Sequence, residues 1–158
     1  MNAPPLRIPL TALPGEAPKL GKGWGHISFS HCQDMLLIGW SIKKLGVDIE
    51  SKSRFIDTNL IANRFLNKNE KEKLKLLPKH KHKEEALKSW VTKEASIKWQ
   101  NGRLMRDIKL WSYDPLDHLA RHSELDHMVR IFQIEYKNWH IGIAYDQTLN
   151  IENPIICA

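Results

Sequence analysis

Cysteine is scarce in this chain, and long apolar runs are missing. Only Cys32 and Cys157 occur among the 158 residues, too few for the disulfide framework of a small secreted domain. The longest apolar stretch, residues 35–40, is strand-sized and far shorter than the roughly 20 residues of a membrane-spanning helix. The N-terminus also lacks a charged segment followed by an apolar one, the pattern of a secretion signal. These absences predict a reduced, cytoplasmic protein whose thiols pack rather than react.

The charge balance is basic, but it does not by itself identify a partner. A formal net charge of +6 and a pI near 9.3 favour anionic partners. Nucleic acid, an acidic protein and an anionic small ligand all suit such a field. No helix-turn-helix, zinc-finger or aromatic RNA-binding signature is recognisable in the sequence, so nucleic acid is the least favoured of the three.

The pattern along the chain predicts an α+β fold in which helices pack on an antiparallel sheet. Residues 1–25, rich in proline and glycine, are predicted to form an extended arm. The predicted strands are residues 26–31, 35–41, 45–50, 104–111, 128–136 and 139–145, with turns at 32–34 and 137–138 and a loop over 114–127. The predicted helices are residues 54–66, 70–77 and 84–100, the second capped by Asn67 or Asn69 and ended by Pro78.

A basic run, Lys-His-Lys-His-Lys at 79–83, separates the second and third predicted helices. We interpret it as a solvated loop, because a charge run most often faces water. A contact with phosphate or with an acidic partner is the alternative.

Two carboxylates stand in the predicted strand 45–50. Apolar residues alternate there with Gly46, Asp48 and Glu50. Because side chains in a strand alternate between its faces, Asp48 and Glu50 point to the same side, one pleat apart. A solvent-facing strand edge is the alternative interpretation.

A third carboxylate interrupts an apolar stripe of the long predicted helix. Helical spacing aligns Leu87, Trp90, Glu94 and Ile97 on one face. A buried carboxylate is costly unless it meets a partner, and a metal ion is an obvious one. Three convergent carboxylates therefore indicate a magnesium site for a phosphorylated ligand. The alternative for Glu94 is an exposed salt bridge to Lys98, one turn further on.

These two segments together resemble the paired signature of the 4'-phosphopantetheinyl transferases. The motifs are Gly46-Val47-Asp48-Ile49-Glu50 and, 39 residues later, Trp90-x-x-Lys93-Glu94-Ala95-x-x-Lys98. Supporting matches are Ser28-Phe29-Ser30-His31, Arg64-Phe65, Glu70 and Gly102-Arg103-Leu104. The resemblance covers residues 21–146. The motif spacing and the Glu two residues after the Asp resemble the surfactin-synthetase-activating branch more than the short, trimeric fatty-acid-synthase branch.

The resemblance implies a transferase that moves the 4'-phosphopantetheine arm of coenzyme A to a serine of an apo acyl or peptidyl carrier protein and releases 3',5'-ADP. It implies Mg²⁺, with Mn²⁺ as a substitute, held by Asp48, Glu50 and Glu94. Glu94 would also accept the proton of the attacking serine, and Lys98 would bind the α-phosphate of coenzyme A. No membrane or nucleic-acid partner is expected.

Further coenzyme A contacts are implied for residues outside the carboxylate set. Ser30 and His31 match the family's contact with the 3'-phosphate, and Lys22 is a candidate phosphate contact. Lys93 is either a ligand contact or a solvated surface lysine. Trp90 and Trp99 are expected to pack the helix against the sheet. His118 and His122 could be neighbours on a helix, but no third zinc ligand is evident near them.

The length of chain before the first motif predicts an unusual domain plan. The resembled branch consists of two similar α+β halves with coenzyme A in the cleft between them. Here residues 1–45 are expected to be an arm and a shortened first half, and residues 46–158 the main half. Oligomerisation could complete the cleft, and the oligomeric state stays open. A non-catalytic module that binds a carrier protein or coenzyme A is the rival prediction.

Overall fold

The computed structural model describes residues 7–55 and 57–146. The strands are β1 (Leu10–Thr11), β2 (Lys19–Leu20), β3 (His26–Cys32), β4 (Met35–Ser41), β5 (Leu45–Ser51), β6 (Trp111–Asp114), β7 (Leu119–His122), β8 (Met128–Tyr136) and β9 (Trp139–Tyr145). The helices are α1 (Thr58–Phe65), α2 (Lys68–Lys75), α3 (Lys79–Gln100) and α4 (Leu104–Asp107). The α+β class is confirmed. Among the described residues, no helix is both long and apolar enough to span a membrane. Cys157 and the end of the predicted main half lie outside the described residues.

An antiparallel sheet of five strands, in the order β5-β9-β8-β7-β6, forms the centre of the molecule. Helix α3 crosses one face of it, over β5 and β9. The main apolar cluster lies between this helix and the sheet and includes Ala95, Ile97, Trp111, Val129 and Ile131. The strand β5 is therefore an edge strand that is nonetheless covered by a helix.

Two glycines allow α3 to lie directly on the sheet. A Cβ at Gly46 would collide with the backbone of Ala95 and Trp99, and a Cβ at Gly142 would lie 2.7 Å from the Val91 carbonyl oxygen. Gly142 is the β9 partner of Asp48. The helix backbone therefore approaches β5 and β9 at the level of the first sequence motif.

The β3–β4 hairpin covers the other side of β5. Its strands pair in register from His26 with Ser41 to Cys32 with Met35. A Cβ at Gly39 would clash with Val47 and Leu45, which shows how closely β4 lies on β5. At the far end of the hairpin, Cys32, Met35 and Leu37 pack against a cluster of Ile49, Trp139 and Ile141.

Most of the predicted elements are confirmed. The strands at 26–31, 35–41, 45–50, 128–136 and 139–145 agree with β3, β4, β5, β8 and β9 to within one residue. Helix α2 begins with a capping box in which Asn67 accepts from the Glu70 amide and the Glu70 side chain accepts from the Asn67 amide. The first predicted helix begins later than expected, at Thr58, because Asp57 caps it.

The prediction of a loop at 79–83 was wrong, since these residues are the first turns of α3. Lysine favours helices, and no breaking residue separates Pro78 from the end of the helix at Asn101. The charge of the run is compatible with a solvated helix as well as with a loop, and its continuity with the rest of α3 decides the structure.

Two predictions after α3 were also wrong. Residues 104–111 do not form one strand, because α4 occupies Leu104–Asp107 and β6 begins only at Trp111. The loop at 114–127 contains β7, which pairs with β6 and β8. The helical pairing of His118 with His122 is excluded, because His118 lies in a turn with φ of 52° and His122 is in β7.

Candidate active site

Strand β5 carries Asp48 and Glu50 on the face that meets α3. Gly46, Asp48 and Glu50 alternate with Val47 and Ile49, and the Gly46 position abuts the α3 backbone. Both carboxylates are buried, with 3% exposure for Asp48 and 7% for Glu50. The predicted common face is therefore present, and the solvent-facing alternative is excluded.

Helix α3 brings Glu94 and Lys98 against Asp48. The Lys98 ammonium donates to Asp48 Oδ1 at 2.6 Å and lies 4.0 Å from Glu94 Oε2. The Glu94 side chain is 17% exposed, so an exposed surface salt bridge does not describe it. Residues 50 positions apart in the sequence thus form one charged cluster.

Asp48 is strongly held but not fully satisfied. Its Oδ1 accepts hydrogen bonds from Lys98 and, at 2.7 Å, from the Ser30 hydroxyl, whereas its buried Oδ2 has no hydrogen-bond partner among the described residues. Burial raises the pKa of Asp48, and the Lys98 ammonium and the Ser30 hydroxyl lower it in part. The Glu94 carboxyl, when it is protonated, also hydrogen-bonds to Asp48, which lowers the pKa of Asp48 further.

Glu94 has a strongly raised pKa. Burial, followed by the negative charge of Asp48, raises the pKa of Glu94 to about 8, and Glu50 adds to the rise. The Lys98 ammonium opposes the shift. The dependence on both β5 carboxylates shows that the three predicted acidic residues share one electrostatic environment.

Glu50 has two partners that the sequence analysis did not identify. The Cys32 thiol donates to Glu50 Oε2 at 3.3 Å, and the Arg54 guanidinium donates to Glu50 Oε1. Burial raises the pKa of the Cys32 thiol, which agrees with the predicted packing role. The sequence has no signal for this ion pair, because i to i+4 spacing brings side chains together only on a helix and residues 50–54 are not helical.

Serine hydroxyls on β3 complete the free edge of β5. The Val47 amide donates to Ser28 Oγ at 3.1 Å and the Ile49 amide to Ser30 Oγ at 3.3 Å. Ser30 therefore connects β3, the β5 backbone and Asp48. Its predicted contact with the 3'-phosphate stays a prediction.

The other predicted phosphate contacts lie apart from the carboxylates. His31 is exposed and, as the neighbour of Ser30 in β3, points to the opposite face of that strand. Lys22 is exposed and lines an open cavity of about 540 Å³ that is bounded by residues 20–26, Trp40 and Ile42. The described chain does not bring Lys22 or His31 to the carboxylates.

Lys93 requires a correction. Its side chain is 1% exposed, and its ammonium donates to Glu70 Oε2 at 2.5 Å and to the Phe65 carbonyl oxygen at 2.9 Å. Neither a surface lysine nor a free contact for coenzyme A fits this position. Lys93 instead joins α3 to α1 and α2, because helical spacing turns it away from Asp48 by about 100° relative to Glu94.

Both tryptophans of α3 pack, as predicted, but Trp90 contacts α1, and the predicted contact with the sheet is seen for Trp99. Trp90 meets the Phe65 ring edge-on with 4.5 Å between centroids. Trp99 packs edge-on against Trp111 at 6.4 Å, and the Lys44 ammonium lies 4.6 Å above its ring.

The carboxylates of Asp48, Glu50 and Glu94 are chemically suited to a magnesium ion, although they are not arranged as a closed set of ligands. Mg²⁺ prefers oxygen ligands and a few carboxylates, and Asp48, Glu50 and Glu94 supply oxygen only. The charges of Asp48 and Glu50 both raise the pKa of Glu94, so the three carboxylates lie close enough to affect one another. Within residues 7–55 and 57–146, however, no three His, Cys, Asp or Glu side chains form a closed metal-ligand group. The Lys98 ammonium is the cation that contacts Asp48.

The fold and the site define an α+β protein with a buried acidic cluster and an adjacent lysine, suited to a phosphorylated ligand and a divalent cation. The family model of the 4'-phosphopantetheinyl transferase superfamily matches residues 44–149, about two thirds of the chain. The chain therefore belongs to this superfamily and is a transferase of the phosphopantetheinyl type. The match does not separate the branches of the superfamily. No curated protein sequence matches the chain significantly.

Proposed function

We propose that this protein transfers the 4'-phosphopantetheine group of coenzyme A to a serine of an apo acyl or peptidyl carrier protein, with Mg²⁺ as the metal. The observation that carries the proposal is the meeting of Asp48 and Glu50 on β5 with Glu94 and Lys98 on α3. The superfamily generally uses coenzyme A and a divalent metal, and the acidic cluster is where this chain would hold that metal.

The metal would be held by Asp48, Glu50 and Glu94, and when bound it would neutralise charge on the pyrophosphate and orient it. The serine oxygen of the carrier protein forms a bond to the β-phosphorus of coenzyme A. The bond from that phosphorus to the oxygen bridging it to the α-phosphorus breaks, and 3',5'-ADP departs with that oxygen. Alignment and charge stabilisation supply most of the catalysis in such a reaction.

Glu94 is the residue best suited to accept the serine proton. Its side chain is 17% exposed, against 9% for Glu50 and 4% for Asp48, so a serine hydroxyl can reach Glu94 most readily of the three carboxylates. Lys98, the nearest ammonium to the cluster, is suited to the negative charge that develops on the departing α-phosphate. Ser30 would act by holding Asp48 in place.

The finer assignments rest on the sequence. The motif spacing favours the surfactin-synthetase-activating branch, and the low cysteine count favours a cytoplasmic location. The basic charge of the chain would favour an acidic carrier protein.

The release of 3',5'-ADP tests the proposal. The protein, coenzyme A, Mg²⁺ and an apo carrier protein are incubated, and the nucleotides are separated by chromatography. We expect 3',5'-ADP to form only when the carrier has its acceptor serine, and Glu94→Gln to reduce the rate by at least about 100-fold. Carrier binding without 3',5'-ADP would instead support the non-catalytic module.

A further inference from the structure

The Lys98 ammonium contacts the acidic cluster directly. Its ammonium is 2.6 Å from Asp48 Oδ1 and 4.0 Å from Glu94 Oε2. Asp48 is 3% exposed, so its charge depends on a nearby positive group. In the metal-free protein, the Lys98 ammonium supplies that positive charge.

The two β5 carboxylates are occupied by donors of the protein itself. Asp48 Oδ1 is occupied by Lys98 and Ser30, and Glu50 is held by Arg54 and Cys32. Asp48 Oδ2 is buried on the same side chain, which also hydrogen-bonds to the Glu94 carboxyl. An ammonium and a divalent cation next to the same carboxylate would repel each other strongly at this distance.

We infer that Lys98 is an exchangeable internal counter-ion: it neutralises Asp48 in the metal-free protein and leaves Asp48 when a divalent cation binds. The Lys98 side chain is 30% exposed, so its ammonium can move to solvent without unfolding α3. Metal binding thereby frees this ammonium for an anionic ligand. This inference rests on the metal site of the proposed function, but not on the transfer reaction.

Metal affinity tests the exchange without any substrate. Mn²⁺ is titrated into the protein alone, and free Mn²⁺ is followed by electron paramagnetic resonance. Removing the competing ammonium in Lys98→Met is expected to tighten Mn²⁺ binding by roughly tenfold. Lys75→Met removes the same charge at an exposed site paired with Glu72 and is expected to leave the affinity unchanged. Equal or weaker Mn²⁺ binding by Lys98→Met would overturn the inference, as would a wild-type protein that binds no Mn²⁺.

A second measurement uses the unaltered protein, so it does not depend on the folding of a variant. An ammonium held by a buried carboxylate exchanges its protons slowly with water and therefore gives a lysine side-chain signal in a ¹H–¹⁵N spectrum. The signal of Lys98 is identified as the one that is missing from the spectrum of Lys98→Met. We expect this signal without metal, and its shift or loss as Mg²⁺ saturates the protein. A signal unchanged by bound Mg²⁺ would overturn the exchange even if transfer occurs. Displacement of Lys98 without any transfer would leave the exchange intact and contradict the proposed function instead.

Discussion

The Ser30 hydroxyl donates a 2.7 Å hydrogen bond to Asp48 Oδ1 while it accepts the Ile49 amide of β5. One small side chain thus completes the free edge of a strand and fixes the orientation of a buried carboxylate. Ser28, two residues earlier, accepts the Val47 amide in the same way but makes no hydrogen bond to a carboxylate within residues 7–55 and 57–146. Both serines therefore bind the backbone of β5, but only Ser30 also holds a carboxylate of the site.

Ser30→Ala is expected to weaken metal binding, whereas Ser28→Ala is not. Both variants lose a partner for a buried amide and should be destabilised by about 1–2 kcal/mol. Only Ser30→Ala also releases Asp48, so its Mn²⁺ affinity should fall by several fold, as measured by calorimetric titration. If both variants bind Mn²⁺ equally well, Ser30 has no role in positioning Asp48.

Glu94 should make the metal-free protein less stable as the pH rises. Its pKa is near 8 in the folded protein and close to the ordinary value of 4.5 when unfolded, so the folded state binds more protons between these pH values. Stability from this group is present below about pH 4.5 and is lost as the pH rises toward 8.

Glu94→Gln should therefore be more stable than the natural protein at pH 8, by about 4 kcal/mol, with a difference of only about 1 kcal/mol at pH 5. Urea unfolding at the two pH values in the presence of EDTA measures this. Glu84→Gln, at a lysine-paired position near the start of α3, serves as a control. If the difference in the free energy of unfolding between wild type and Glu94→Gln does not grow with pH, the pKa of Glu94 is not raised in the folded protein.

Gly142→Ala should destabilise the contact between α3 and the sheet. The new Cβ would lie 2.7 Å from the Val91 carbonyl oxygen and 3.2 Å from the Thr92 nitrogen, both backbone atoms that cannot turn aside. We expect a loss of about 3 kcal/mol in the free energy of unfolding. Gly15→Ala, in an open loop with φ of 79°, should cost only about 1 kcal/mol. A comparable, small cost at both positions would mean that α3 does not lie this close to β9.

Lys93→Met should reduce stability, because it leaves Glu70 buried without its cation. The expected loss is about 3–5 kcal/mol, and Lys93→Met combined with Glu70→Gln should recover part of it. The transfer rate per folded molecule and the KM for coenzyme A should change little. A large rise in KM with unchanged stability would restore the predicted ligand contact of Lys93.

Alternation in β5 predicts that Asp48 and Glu50 share a face, and the structure has both on the face that meets α3. Helical spacing puts Lys98 one turn after Glu94, and the structure brings both against Asp48. The catalytic and metal-binding roles of these residues stay predictions. The environment of Lys93 could not be predicted this way. Its spacing excludes it from the Glu94 stripe, but only the tertiary packing of α1 and α2 shows that its own side is buried.

The glycine contacts and the region after α3 were also beyond the sequence analysis. Gly142 lies in a strand with no turn signal, and its purpose is visible only once a helix is placed over it. The helix α4 was missed because its four residues are too short for a helical period to emerge. In the 79–83 run, composition suggested a loop where continuity with α3 decides the structure.

Intact-mass analysis of an apo acyl carrier protein incubated with this protein, coenzyme A and Mg²⁺ tests the central claim most directly. We predict a mass gain of one phosphopantetheine unit on the carrier, abolished by EDTA and by Glu94→Gln. No gain on fatty-acid, polyketide or peptide-synthetase carriers, with the protein folded by circular dichroism, would contradict the proposed transfer.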